Sequence, residues 1–218
     1  EETTAEDTEP TLDLAVNVRF DGSGSMLKKS FSSANQCKPT IEANIDGYDY
    51  ALKLTTSGSA VNDPFVYFDY SRYCKLVGVS PVSADDYKYV ALRIKCENLA
   101  GSEFELFHCA GKVTGATGDA VTRVIYDNSD PEWQYILFDL SRANWAGKVN
   151  GFRLDFTTSS KDAGETMYIS EINFIKSDDD FYKMLGYDTD PDAHKYVESP
   201  EDKEKVDKLL AVTDSSAS

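Results

Sequence analysis

Residues 133–175 read WQYILFDLSRANWAGKVNGFRLDFTTSSKDAGETMYISEINFI. Three runs stand out in this stretch: Trp133–Leu140, Val149–Phe156 and Met167–Ile175. They are rich in β-branched and aromatic residues, and each is short enough to be one strand. The breaks between them hold Trp145-Ala146-Gly147 and the polar segment Ser159–Gly164, with no amphipathic helix in either. Strands that follow one another without intervening helices form antiparallel sheets.

Working outward, the same cadence continues toward the N-terminus. Val121–Tyr126 precedes the turn-rich Asp127-Asn128-Ser129-Asp130-Pro131. Val90, Leu92, Ile94 and Cys96 form one apolar face, and Asn98–Ser102 leads into Glu103–Cys109, a pattern that predicts a hairpin. Gly111, Gly115 and Gly118 mark a long loop. Asp63-Pro64 opens a strand through Tyr70, and Tyr48, Tyr50, Leu52 and Leu54 alternate after Asp46-Gly47. Leu12, Leu14, Val16, Val18 and Phe20 give the cleanest period of two, ended by Asp21-Gly22-Ser23-Gly24-Ser25. About nine strands result. The predicted fold is all-β, an antiparallel β-sandwich of jelly-roll type with a short helical C-terminal tail.

The chain has 218 residues and a net charge of −16. Six acids and no base fall within residues 1–13, and twelve acids against five bases within 177–218, which leaves the middle nearly neutral. Three regions follow: an acidic flexible linker over 1–11, a sandwich over 12–176, and an acidic tail over 177–218. In the tail, Ser199-Pro200-Glu201-Asp202 reads as a helix start, and Val206, Leu209 and Leu210 continue at helical spacing. This segment either packs back or leads to a further domain. The acidity argues against nucleic acid and anionic membranes as partners. No apolar run approaches the roughly 18 residues of a membrane span. An acidic Thr-rich start without an apolar leader looks like a trimmed exported chain, expected to be a monomer.

Residues 132–176 resemble the terminal strands of carbohydrate-binding-module-like jelly rolls of the galactose-binding-like superfamily. The residues carrying this are Trp133–Ser141, Trp145–Phe156, Gly164 and Tyr168–Phe174, with Tyr48–Leu54, Asp63-Pro64-Phe65-Val66 and Tyr87–Ile94 upstream. Such modules are common in secreted multidomain proteins of gut and rumen bacteria, and the chain is similar in outline to starch-adherence domains. The resemblance implies an extracellular or cell-surface location and a polysaccharide or oligosaccharide partner, with a starch-type α-glucan as the specific expectation. It also implies one structural calcium ion between the first strand's loop and the last strand, which places Asp21 and Glu171 as ligands. Asp21–Ser25 does not reproduce a full ligand set, and a plain turn followed by Gly is the alternative for Asp21.

No serine elbow, zinc-protease motif or phosphate loop is present. His108 and His194 are the only imidazoles. Cys37, Cys74, Cys96 and Cys109 include no Cys-x-x-Cys; hairpin register separates Cys96 from Cys109, and a Cys37–Cys74 pairing stays open. Arg153 and Asp155 share one strand face and serve either as an ion pair or as sugar-hydroxyl contacts. The expectation is a non-enzyme. Sugars are met by flat rings on their C–H faces and by polar side chains at their rims. Loop aromatics with polar neighbours are the candidates: Tyr70, Arg72 and Tyr73, then Tyr126 with Asp127, then Trp133 and Trp145. Each ring has packing as its alternative. A structural or protein-interaction sandwich is the competing reading, and a glycoside hydrolase the third.

Overall fold

Alternating apolar side chains need a second layer to bury them, and two antiparallel sheets supply it here. The computed structural model describes residues 16–20, 27–46, 48–141, 144–158, 162–184, 189–190 and 195–196. The first sheet runs β3 (Cys37–Ile45), β4 (Tyr48–Thr56), β11 (Thr166–Ile175), β6 (Tyr89–Glu97) and β9 (Gln134–Asp139), with β1 (Val16–Arg19) also paired to β11. The second runs β2 (Phe31–Asn35), β5 (Phe65–Phe68), β10 (Val149–Asp155), β7 (Glu103–Ala110) and β8 (Val121–Ile125). From β4 to β11 the chain crosses between the sheets at every connection but β7–β8, the habit of a jelly roll. The 2-residue strands β12 (Thr189–Asp190) and β13 (Lys195–Tyr196) form a separate ladder.

β11 is the spine of the first sheet. It pairs with β6 on one side, and on the other with β4 through Thr166–Ile169 and β1 through Glu171–Phe174. The register shifts between Ile169 and Glu171. That bulge flips the parity of the strand, so Met167 and Ile169 before it, and Ile172 and Phe174 after it, all join the core. Opposite them lie Phe104, Leu106, Phe152, Leu154, Val66 and Phe68 of the second sheet.

Three sequence expectations are corrected here. β2 and β3 were not predicted. Pro39 hides β3, although Cys37, Pro39, Ile41 and Ala43 alternate with Lys38, Thr40 and Glu42. The proline is accommodated because β3 is an edge strand. The predicted hairpin of 90–96 with 103–109 does not form. β6 is flanked by β11 and β9, so it has no free edge, and β7 pairs with β10 and β8 in the other sheet. The connecting segment is pinned between them: Leu99 is buried, the Ala100 N–H donates to the Glu165 carboxylate at 2.9 Å, and Asn128 Nδ2 donates to the Leu99 carbonyl at 2.9 Å.

The third correction concerns the strand expected through Tyr70. It ends at Phe68 and becomes helix α1 (Tyr70–Val77). The Asp69 carboxylate accepts the Arg72 N–H at 2.8 Å as N-cap, and Gly78, at φ +78°, closes the helix in the left-handed conformation.

The tail returns to the body through its first helix. Helix α2 (Asp178–Met184) buries Phe181, which meets Tyr135 edge-on at 6.4 Å, while Asp178 accepts the Tyr89 hydroxyl. Burial of one phenyl ring is worth about 2–3 kcal/mol, so α2 belongs to the folded body. The helix predicted over 200–212, the strand start over 12–15, Asp21 and His194 lie outside the described residues. All four cysteines are free thiols and buried, and burial pushes Cys37 and Cys96 up to about 12, far from the reactive range. Among the described residues no helix is long and apolar enough to cross a membrane.

Candidate functional site

Tyr70, Tyr73 and Tyr126 are core residues, at 0%, 5% and 3% exposure, and offer no ring face to a ligand. This corrects their assignment as loop aromatics. Tyr70 packs on Phe174 at 5.1 Å, and the Tyr73 hydroxyl donates to the Arg19 carbonyl at 3.0 Å. The Tyr126 hydroxyl lies 3.0 Å from the Gly101 carbonyl and 2.9 Å from that of Phe156, tying a crossover to the end of β10. Arg72 is exposed on α1 and donates to the Lys29 carbonyl. Asp127 is exposed and accepts from the backbone and hydroxyl of Ser129, a turn-closing role that holds its carboxyl below the usual range. Trp133 is half-buried just ahead of β9.

Trp145, half-buried like Trp133, borders open space. It lines a groove of about 710 Å³ with Ala110, Lys112, Val113 and Asn144. Its indole N–H donates to the Tyr87 carbonyl at 2.8 Å, and the ring stacks on Phe152 at 6.1 Å and meets His108 edge-on at 5.3 Å. Most of that ring closes the end of the sandwich. His108 is fully buried, and burial draws its pKa down, so the imidazole is neutral at pH 7. The seven predicted residues therefore occupy α1, the β8–β9 connection and the β9–β10 loop, and do not assemble into one site.

For the calcium expectation, Glu171 is buried among donors. Its carboxylate accepts from Tyr135 at 3.2 Å and Asn173 at 3.2 Å, with Arg93 at 3.9 Å. Asp21, the other ligand expected, lies outside the described residues. No group of three or more metal-ligating side chains occurs among the described residues.

The outward face of the second sheet carries a different constellation. Tyr67 on β5, Arg153 on β10 and Phe107 on β7 are in register and form one row across three strands. Glu105 on β7 stands opposite Asp155 on β10 and Arg123 on β8 in the next row. Phe65 completes the patch, edge-on to Tyr67 at 5.7 Å. Phe65, Tyr67 and Phe107 are half-buried, whereas the inward residues between them are fully buried.

Arg153 organises this face. Its guanidinium lies 3.7 Å over the Phe65 ring and 5.2 Å from Phe107. It donates to both Asp155 oxygens, at 2.7 and 2.6 Å, and to Asp63 at 2.9 Å. Of the two readings the sequence allowed for Arg153 and Asp155, the ion pair is thus present. Glu105 is bonded by Arg123. Burial pushes Asp155 up to about 6 despite the pull of Arg153, and Asp63 and Glu105 add to the rise. The sequence points first to loop aromatics, and this face lies on strands. The signal was present in Phe65-x-Tyr67, Glu105-x-Phe107 and Arg153-x-Asp155, where outward positions carry rings and ion-pair partners instead of small polar residues.

The raised Asp155 value has a sign that can be measured. Between the ordinary 3.8 and about 6 the folded state holds the extra proton, so stability falls as pH rises through that window. Asp155→Asn removes this contribution. Relative to the parent, the variant is expected to gain about 2–3 kcal/mol between pH 3.5 and pH 7, read by urea unfolding at each pH. His108 is common to both proteins and cancels. A difference that stays constant with pH would show that Asp155 titrates normally.

No family model matches this chain, and no curated protein does. Solved structures share the arrangement distantly. A xylan-binding module, CBM86, from the gut symbiont Roseburia intestinalis is 14% identical, covering 74% of this chain and 96% of its own, with a TM-score of 0.41. A β-1,3-glucan-binding CBM6 from Bacillus halodurans is 12% identical, covering 73% and 95%, with a TM-score of 0.44. The family 11 module from Clostridium thermocellum, in complex with a β-1,3-1,4-mixed-linked tetrasaccharide, is 9% identical, covering 72% and 93%, with a TM-score of 0.44. Likeness this remote sets no ligand for this chain.

Proposed function

We propose that this chain is a non-catalytic glycan-binding module that works through the outward face of its second sheet. The observation that carries the reading is the row Tyr67–Arg153–Phe107, two rings on either side of a fixed polar centre. The rings stand two strand spacings apart, about 9.5 Å. A sugar chain laid across the strands meets a ring at each end and the Arg153, Asp155 and Glu105 polar groups between. Rings supply apolar contact and orientation, and the polar groups accept and donate to hydroxyls. Asp155 and Glu105 are each held by an arginine, an arrangement that steadies a binding surface and keeps both carboxylates from serving as free acid and base.

The wider reading is that of an extracellular or cell-surface domain, spanning 12–176 plus α2, that holds a longer protein to a polysaccharide. A starch-type α-glucan is the specific ligand expected from the sequence resemblance. The test is retention on insoluble starch, cellulose, xylan and mucin, with reducing-sugar release measured on the same panel. Binding to at least one polymer without sugar release is the expected result. Absence of retention throughout favours a structural or protein-interaction role, and sugar release overturns the non-catalytic assignment.

A further inference from the structure

The outward positions of the second sheet include two cations, Arg153 and Arg123. Both are committed within the face. Arg153 is held by Asp155 and Asp63, and its side chain is 17% exposed. Arg123 is held by Glu105. Glu103, also outward on β7, adds a further carboxylate at the edge of the same surface. A glycan carrying uronate or sulfate groups would therefore meet a carboxylate excess and cations already engaged. To pair with Arg153 it would have to displace a bidentate arginine–carboxylate pair that is mostly shielded from water, and to pair with the more exposed Arg123 it would have to compete with Glu105. An uncharged glycan meets no such barrier, because hydroxyls hydrogen-bond to carboxylates and guanidinium groups without breaking the pairs.

We infer that the face selects uncharged polysaccharides and rejects carboxylated or sulfated ones, with the Arg123–Glu105 and Arg153–Asp155 pairs as the determinants. This rests on the glycan-binding reading and narrows its ligand class. The net charge of −16 repels polyanions in any case, so the test must separate the local effect from the global one.

The experiment is affinity electrophoresis of the full chain at low salt. The gels hold matched polymers: cellulose, xylan and starch derivatives, each in a hydroxyethyl and a carboxymethyl form. Retardation by the neutral member of at least one pair is expected to exceed that by its carboxymethyl partner tenfold or more. Glu105→Gln, which removes the charge paired with Arg123, should narrow that ratio at least threefold. Glu97→Gln removes the same charge from the opposite sheet and should leave the ratio near that of the parent. Equal retardation by both members overturns the inference, as does retardation by the carboxymethyl member alone. Equal effects of the two variants also overturn it, because they reduce the selectivity to net charge. No retardation by any polymer, neutral or carboxymethyl, overturns the glycan-binding reading itself, a result distinct from the others.

Discussion

Replacing Tyr67 and Phe107 together by alanine is expected to weaken retention on the bound polysaccharide by about a hundredfold. Binding to an open face depends on a few aromatic anchors, each worth roughly 1–2 kcal/mol, and the loss of both amounts to about 2.7 kcal/mol. The two rings point away from the core and flank Arg153 in register. Their removal should lower the unfolding free energy far less than removal of an inward ring such as Phe104 or Phe152, which are fully buried. Tyr67→Phe keeps the ring and removes only the hydroxyl, so it should retain most of the affinity. Trp145→Ala serves as the comparison. It strips a stack on Phe152 and a bond to the Tyr87 carbonyl, so it costs stability first. If the double variant binds as the parent does and Trp145→Ala alone abolishes binding of a still-folded protein, the loop groove is the site and the sheet face is not.

The sandwich was legible because period-two alternation survives wherever one strand face is wet. Val90, Leu92, Ile94 and Cys96 announced β6 in this way, and Phe152, Leu154 and Phe156 announced β10. Which strands pair was not legible. Sequence adjacency suggested β6 with β7, yet the pairing depends on which edges are already occupied, a property of the whole sheet. Helix α1 was legible and went unread: Asp69 and Gly78 bracket it, and Tyr70, Tyr73 and Cys74 fall at the spacing of one buried helix side. The cost was specific, since two core tyrosines became sugar candidates. The outward row was harder to find. Its members come from β5, β7 and β10, which are distant in sequence, and only register brings them together. An arginine seated over Phe65 and held by two carboxylates has no sequence signature beyond the i, i+2 step from Arg153 to Asp155.

The largest effect on stability is expected from a single methyl group. Gly151 sits on β10 opposite Cys109, next to a register irregularity, and a Cβ there would lie 2.3 Å from the Phe68 carbonyl oxygen and 3.5 Å from Asp69 Cα. The obstacle is backbone, so no rotamer change relieves it. Relief requires β5 to move away from β10, or the turn into α1 to shift. The first breaks the ladder that aligns Arg153 with Tyr67, and the second withdraws Tyr70, Tyr73 and Cys74 from the core. Gly151 does not have a positive φ, so alanine meets no torsional penalty, and the whole cost is this collision. Gly151→Ala is therefore expected to destabilise by about 4 kcal/mol, near the upper end for one substitution. Gly118→Ala is the matched control: nothing lies within 4 Å of its Cβ, and stability should change by less than about 1 kcal/mol. Urea unfolding of both variants gives the comparison. A Gly151→Ala protein within about 1 kcal/mol of the parent would mean that β5 and β10 are not held this closely, and the register of the Tyr67–Arg153–Phe107 row would lose its support.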